Sequence, residues 1–246
     1  MSPPPRFHVR SAAPGARVTF PEHSAHHARE VLRLRSGASV RVFDGVGAEF
    51  EARLDEVSRR TVSARLGAAA LPRAESPLRL VLAVSPLKGD RMELVVQKAT
   101  ELGVAGIWPV VTSRTDAAAR PALQGSRGER WERVASGAAE QCGRAVVPEV
   151  APATNLEELV ARAFEGQRVV LLETPGQAPL TSLAVDSSRA LLLLVGPAGG
   201  FDAAEADALR GAGFHPASLG PRILRAETAA VAAVAIAQAA WGDLRA

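Results

Sequence analysis

The sequence predicts an α/β fold in two parts: a small β-barrel carrying one helix over residues 1–72, then a larger layered domain over residues 73–246 built on a mainly parallel sheet. Three observations predict it. As far as Leu66, apolar and polar residues alternate in short runs with the two-residue period of half-buried strands. Beyond Pro77 the apolar runs become continuous, as in strands covered on both faces, and they alternate with segments of helical spacing. Between the two lies Leu71-Pro-Arg-Ala-Glu-Ser-Pro77, with the proline and small polar residues of a linker.

In the first part, Ser39–Phe43 and Ala48–Leu54 read as strands joined by Asp44-Gly-Val-Gly47, which has the composition of a hairpin turn, and Thr61–Leu66 reads as a third strand. Ser24–Leu34 reads as a helix, with Val31 and Leu34 three apart and Gly37 as its stop. In the second part, Leu80–Val84 is a buried strand. Asp90–Leu102 is a helix capped by Asp90, ended by Gly103, with Met92, Val95, Val96, Ala99 and Leu102 at helical spacing. The alternation continues through a strand at Ile107–Val111, a helix at Arg127–Gln141, strands at Arg168–Leu172 and Ala190–Val195, and a helix at Asp202–Ala212. An alanine-rich packed helix at Ala229–Trp241 closes the chain, and no internal repeat is present.

With 47% hydrophobic and 22% charged residues, the 246-residue chain has the balance of a globular protein and is not a disordered one. Its single cysteine, Cys142, excludes an intrachain disulfide framework and a cysteine zinc cage, and fits a reducing compartment. No segment approaches the roughly 20 apolar residues of a membrane span, and Met1–Arg10 lacks the apolar run of a signal peptide, so a cytoplasmic protein is expected. The net charge of +3 is unevenly placed: residues 1–73 hold 12 arginines against 7 acidic residues, together with His8, His23, His26 and His27. A basic front end is the footprint expected for a polyanion such as RNA. An arginine-rich composition with Lys88 and Lys98 as the only lysines has a second source in a GC-rich genome, so charge alone leaves nucleic acid and a merely solvated surface both open.

Ligands of open α/β sheets bind beyond the carboxyl ends of the strands. The strand Leu191–Val195 runs directly into Gly196-Pro-Ala-Gly-Gly200, followed by Phe201 and a helix opened by Asp202 with Glu205 three residues on. Adjacent glycines let backbone approach a ligand closely, although a tight strand-to-helix turn would use them equally. There is no G-x-G-x-x-G and no G-x-x-x-x-G-K-[ST], so dinucleotide and P-loop enzymes lose support; H-E-x-x-H is also missing and no metal is expected. The loop Leu219-Gly-Pro-Arg-Ile-Leu-Arg-Ala-Glu-Thr-Ala229 precedes the last helix. It offers the forked donors of Arg222 and Arg225 beside Glu227 and Thr228 at a helix start, a combination that suits an anionic or polar ligand. A local Arg225–Glu227 ion pair is the plainer reading of the same residues.

These two loops together resemble the bacterial small-subunit ribosomal RNA uridine N3-methyltransferases of the SPOUT superfamily. Lys88-Gly-Asp-Arg-Met-Glu93, Gln97-Lys-Ala-Thr-Glu-Leu-Gly103 and Glu140-Gln-Cys-Gly-Arg144 resemble that family too, and Phe7–Leu54, with Val31-Leu-Arg-Leu34 and Val42-Phe-Asp-Gly45, resembles its PUA-like RNA-binding barrel. The likeness covers nearly the whole chain. It implies a SPOUT-type parallel sheet with a C-terminal trefoil knot, a homodimer, and S-adenosyl-L-methionine as cofactor. The implied cofactor contacts are Leu171, Leu172 and Glu173, then Leu194, Val195, Gly196, Pro197, Gly199 and Gly200, then Leu219, Gly220, Ile223, Leu224, Thr228 and Ala229. The family loop usually reads Gly-Pro-Glu-Gly-Gly, whereas this chain has Ala198 in place of the glutamate, so no role of that carboxylate carries over.

Methyl transfer to uracil N3 of 16S ribosomal RNA needs the base held close to the donor methyl, and the N3 proton must leave. Arg225 is read as orienting or stabilising the uracil or its phosphate, and Glu227 as a base or as an orienter of Arg225. Arg6, Arg10, Arg33, Arg35 and Arg41 in the barrel, with Lys88, Arg144 and Arg222 beyond it, are read as RNA contacts. A related SPOUT enzyme acting on another atom, or a non-catalytic RNA-binding factor of ribosome assembly, stays open at this point.

Overall fold

Residues 3–124, 127–172 and 176–244 are described by the computed structural model, with the side chains of 123 and 124 excepted. They divide into two units, Met1–Glu75 with Ser136–Val147, and Ser76–Ala135 with Pro148–Ala246. This division differs from a single cut after residue 72, because a later segment returns to complete the first unit. The pairings responsible join residues more than a hundred positions apart, which no local pattern reveals.

In the first unit, β1 (Arg6–His8), β2 (Arg17–Thr19), α1 (Glu22–His26), β3 (Ser39–Phe43), β4 (Glu49–Val57) and β5 (Val62–Ala70) follow one another. The strands lie in the order β1-β3-β4-β5-β2, with β1 parallel to β3 and the other pairs antiparallel. Alternate residues point inward, so Val40 and Val42 meet Phe50, Ala52, Leu54, Val62, Ala64 and Leu66 in one core with Phe7 and Phe20. Two register shifts along β4 and β5, at Phe50/Ala52 and Leu54/Glu56, add local twist. The β3–β4 hairpin closes as the sequence implies. Asp44 Oδ1 accepts from the amides of Val46 and Ala48, each at 2.9 Å, and Gly45 and Gly47 take φ of 79° and 121°.

The helix expected at Ser24–Leu34 is shorter and differently ended. Regular α-helix stops at His26, and His27–Val31 forms a π turn in which the Leu32 amide donates to the His27 carbonyl at 2.9 Å. Arg33, at φ 52°, takes left-handed backbone directly after it, four residues before Gly37 does so at φ 85°. Widening the turn rotates Val31 and Leu32 outward, so the three-residue spacing of Val31 and Leu34 does not mark a buried face; Val31 is 60% exposed.

The second unit contains β6 (Leu80–Val84), α2 (Arg91–Glu101), β7 (Gly106–Val111) and the start of α3 (Gly128–Cys142), whose residues from Ser136 belong to the first unit. Then come β8 (Glu149–Val150), β9 (Thr154–Asn155), α4 (Leu156–Ala161), β10 (Gly166–Leu171), β11 (Ala190–Val195), α5 (Ala203–Gly211), β12 (Phe214–Ala217) and α6 (Ala226–Trp241). The sheet is seven-stranded in the order β12-β10-β11-β6-β7-β8, with β9 also on β7, and its pairs are parallel. Every residue of β6, β7 and β11 is buried, which is why those strands read as unbroken apolar runs. One face packs Val81, Ala83, Leu192 and Leu194 with Trp108, Val110, Leu209 and Phe214.

Helix ends show where single-residue rules hold and where they fail. Asp90 precedes α2 but makes no side-chain capping bond; its carboxylate lies 3.6 Å from Arg130 instead. Asp202 does cap α5, in a reciprocal box with Glu205. Helix α6 begins three residues before the Ala229 read from its apolar pattern, because Arg225 in extended backbone is its N-cap and Glu227 and Thr228 already form its first turn. Near its other end, fully buried Gln238 donates to the Gly103 carbonyl at 3.2 Å and accepts from Ser76 Oγ at 2.7 Å. The short elements β1, β2, β8, β9, α4 and β12 left no periodic signal, being 2 to 6 residues long. Among the described residues, no helix is long and apolar enough to cross a membrane.

Candidate functional site

Because β10 and β11 run parallel, their carboxyl ends emerge on one side of the sheet, and the loop before α6 joins them there. The three loops enclose a cavity of about 620 Å³ within the second unit. Leu171, Leu172 and Gln177 wall it after β10, Val195 to Pro197 with Gly199, Gly200 and Phe201 after β11, and Ser218 to Leu224 with Ala226 and Ala229 before and within α6.

Glycines shape the wall for stated reasons. A Cβ on Gly196 would stand 2.8 Å from the Phe201 ring, so a side chain there would push the ring away. Gly200 at φ 65° closes a turn in which its amide bonds the Pro197 carbonyl at 2.9 Å, and Gly220 has φ 108°. Ala198 is exposed at the tip of this turn.

The loop after β7 is tied to the same place. Ser113 Oγ donates to Asp202 Oδ2 at 2.8 Å and its amide to Glu205 Oε1 at 2.6 Å, while Arg114 Nη1 donates to the Gly199 carbonyl at 2.8 Å. The Glu205 amide, followed by the Ser113 hydroxyl, holds the Asp202 carboxyl below its ordinary range. An acid with a lowered folded value contributes stability above its unfolded value, and the contribution is lost as pH falls through the folded one. Asp202→Asn is therefore expected to keep the helix cap yet remove that acid-side loss, which urea midpoints measured from pH 7 down to pH 3 would read; identical pH profiles for the two proteins would contradict it.

Of the residues read from the sequence, Leu171, Leu172, Val195, Gly196, Pro197, Gly199, Gly200, Leu219, Gly220, Ile223, Leu224 and Ala229 line this one cavity, as does Arg222. Leu194 does not: it is fully buried in β11, facing the core on the side of Val81 and Phe214. Thr228 is exposed on the first turn of α6 and is not part of the wall, and Glu173 lies outside the described residues. Arg225 is exposed, between wall residues Leu224 and Ala226. The Glu227 carboxylate sits 3.9 Å from Arg91, and among the described residues it forms no ion pair with Arg225.

Two of the arginines read as RNA contacts are structural. Arg6, 12% exposed, grips Glu49 with two bonds of 2.9 and 3.1 Å and donates to the carbonyls of Ala139, Glu140 and Arg144. Arg144, 9% exposed, bonds Glu75 at 2.6 and 2.8 Å. Their donors face inward, where a phosphate does not reach. Arg41 is half-buried, 3.7 Å from Glu49, whereas Arg10, Arg33, Arg35 and Lys88 are exposed. In the same unit, burial pushes the Glu140 carboxyl up although it accepts from the His8 amide and Ser24 hydroxyl, and burial pushes His8 down.

Sequence reasoning missed Arg114, Gln177, Ser218 and Ala206 as wall residues. Arg114 belongs to no motif, yet it stands three residues past β7, where the strand-end rule would have placed it. Among the described residues, no three His, Cys, Asp or Glu side chains group as a metal site.

A family described as an RNA methyltransferase domain matches residues 74–238, and one described as an RNA methyltransferase PUA domain matches residues 20–67. The chain is 33% identical over 224 residues to ribosomal RNA small subunit methyltransferase E of Synechocystis, covering 89% of this chain and 72% of that protein. The Bacillus subtilis protein of the same name is 31% identical over 224 residues, 88% of this chain and 87% of its own. Among solved structures, ribosomal RNA small subunit methyltransferase E from Neisseria gonorrhoeae, bound to S-adenosyl methionine, is similar with TM-score 0.88 and 33% identity over 98% of this chain and 99% of that one. Agreement of this extent over both parts shows the family: the chain belongs to the RNA methyltransferases, and it has that family's PUA domain ahead of its methyltransferase domain.

Proposed function

We propose that the chain methylates N3 of a uridine in 16S ribosomal RNA of the small ribosomal subunit, with S-adenosyl-L-methionine as donor. The cavity at the strand ends carries this reading. Its 620 Å³ lies within the range of about 300–1,000 Å³ usual for small-molecule sites. Its composition fits a nucleoside-bearing ligand: Leu171, Leu172, Val195, Leu219 and Leu224 offer apolar surface for a flat ring, and the backbone at Gly196 and Gly220 borders the cavity with no side chain of its own. The relative from Neisseria gonorrhoeae, similar over the whole length, binds that molecule. When bound, the donor supplies an electrophilic methyl on a sulfonium.

The remaining work falls to the protein's own residues. Arg225, beside the cavity wall, orients the uracil or stabilises charge on its oxygens once N3 loses its proton. Glu227 is proposed as the group that takes the proton, with Arg91 as the cation it would have to leave. The PUA-like unit holds RNA through exposed Arg10, Arg33 and Arg35. We place the enzyme in the cytoplasm as a homodimer, for which exposed Ile223 and Leu94 offer apolar surface. The chain end is proposed to thread a trefoil knot, a reading supported by the three loops that share one cavity with the start of α6.

Incubation with labelled S-adenosylmethionine and small ribosomal subunits lacking the modification, followed by nucleoside analysis, tests the reading. N3-methyluridine in 16S ribosomal RNA is expected. Label on another atom would replace the target, and unlabelled RNA with no donor binding would leave a non-catalytic RNA-binding protein.

A further inference from the structure

We infer that Arg114 binds a phosphate of the RNA backbone at the mouth of the cavity, so that the methyltransferase unit grips its substrate directly and does not leave that task to the PUA-like unit. The inference rests on the reading of the cavity as the methyl-donor site.

Arg114 is exposed, and it belongs to the cavity wall. Its stem lies flat on Gly199, with Cβ and Cδ each 3.4 Å from the position a Cβ on Gly199 would take, and Nη1 donates to the Gly199 carbonyl at 2.8 Å. The backbone beneath it is fixed from both sides. Thr115 Oγ1 takes the Thr112 amide at 2.8 Å and shares a buried hydrogen bond of 2.7 Å with Ser85, while Ser113 is tied to Asp202 and Glu205. Arg120 adds bonds to the Ser113 and Thr115 carbonyls. The guanidinium is thus held in place before any ligand arrives, which reduces the ordering cost of binding.

Among the described residues no carboxylate lies within ion-pair distance of it. Among the described residues Arg114, Arg120 and Arg222 form no ion pair, whereas Arg91, Arg130 and Arg210 of the same unit each have a carboxylate partner. Asp202, close enough for its charge to feel Arg114, already accepts from the Glu205 amide and the Ser113 hydroxyl. One Arg114 donor is engaged by a neutral carbonyl and the others have no protein acceptor among the described residues, an arrangement suited to a phosphate's several oxygens. The donor molecule is the weaker candidate for this cation. Its sulfonium and ammonium outweigh its single carboxylate, so an exposed positive rim repels it and attracts the polyanion.

The test compares wild type, Arg114→Ala and Arg114→Gln as full chains. Binding of S-adenosylmethionine is measured by calorimetry, and binding of unmodified 16S ribosomal RNA at several salt concentrations. Glutamine loses the charge but keeps an N–H group for the Gly199 carbonyl. Both variants are expected to bind RNA about tenfold more weakly at moderate salt, with the slope of log K against log salt reduced by one phosphate contact, about 0.7–0.9. Donor affinity is expected to change less than threefold for Arg114→Gln. RNA affinity and salt slope equal to wild type in both variants would overturn the inference. So would lost donor binding with RNA binding intact, which would make Arg114 a brace for the Gly199 loop only. A wild-type protein that binds neither RNA nor donor would overturn the functional reading itself, whereas a wild type that methylates RNA beside unaffected variants would overturn this inference alone.

Discussion

Arg225→Ala is expected to lower the methylation rate by roughly 10²–10³, the loss usual when one preorganised donor to a developing negative charge is removed. The loss is expected in the reaction and not in the fold. Arg225 occupies the N-cap position of α6, but its side chain makes no capping bond, it is exposed, and it is its backbone carbonyl that accepts from the Ala229 amide at 2.8 Å. Alanine keeps that carbonyl, so the unfolding midpoint should move by no more than about 0.5 kcal/mol in stability. Arg225 stands in the chain between Leu224 and Ala226, both in the cavity wall, and the proposed task is to meet an extruded base there. Steady-state kinetics divide its two proposed tasks. A fall in kcat points to charge stabilisation on the uracil oxygens; a rise in KM for RNA with kcat preserved points to a phosphate contact. Near-normal kcat and KM in a folded Arg225→Ala protein would remove the residue from the site.

The second large effect is on stability. Arg6→Ala should destabilise the protein by about 3 kcal/mol, because removing one partner of a buried ion pair strands the other. Glu49 is 1% exposed, and without Arg6 its nearest recorded cation is Arg41 at 3.7 Å. The same substitution removes donors from the carbonyls of Ala139 and Arg144, both at 2.9 Å, and a guanidinium 4.6 Å above the Phe43 ring. Denaturant midpoints of the full chain measure the loss. The salt slope of RNA binding should stay as in wild type. A stability change under 1 kcal/mol together with a reduced salt slope would restore Arg6 as a phosphate contact.

The contrast between Arg6 and Arg225 marks the limit of what the residues alone could say. Both stand in basic stretches, and composition cannot separate a cation facing a phosphate from one facing Glu49, 43 positions along the chain. Three strands were the easiest elements to read: Ser39–Phe43, Leu80–Val84 and Ala190–Val195 agree with the structure at both ends, because alternation or an unbroken apolar run has sharp edges. Helix ends were harder. Asp90 and Asp202 look alike, each with a glutamate three residues on, yet Asp202 alone caps: its backbone is extended, whereas Asp90 already has helical backbone and Glu93 pairs with Arg130 at 2.6 Å. The ligand loops were legible as glycine spacing after a strand. Arg114 was not, since its significance comes from a contact with Gly199, 85 residues away.

The return of Ser136–Val147 to the first unit bears on the order in which the protein is made. During synthesis the amino-terminal part of a chain commonly folds first. Here the carbonyls that hold Arg6 and the carboxylate that meets the His8 amide are absent until residue 144 has emerged, by which time β6, α2 and β7 are already outside the ribosome. The front unit therefore waits, incomplete, for chain that follows much of its neighbour, and a nascent polypeptide stalled between residues 76 and 135 exposes two unfinished halves to chaperones.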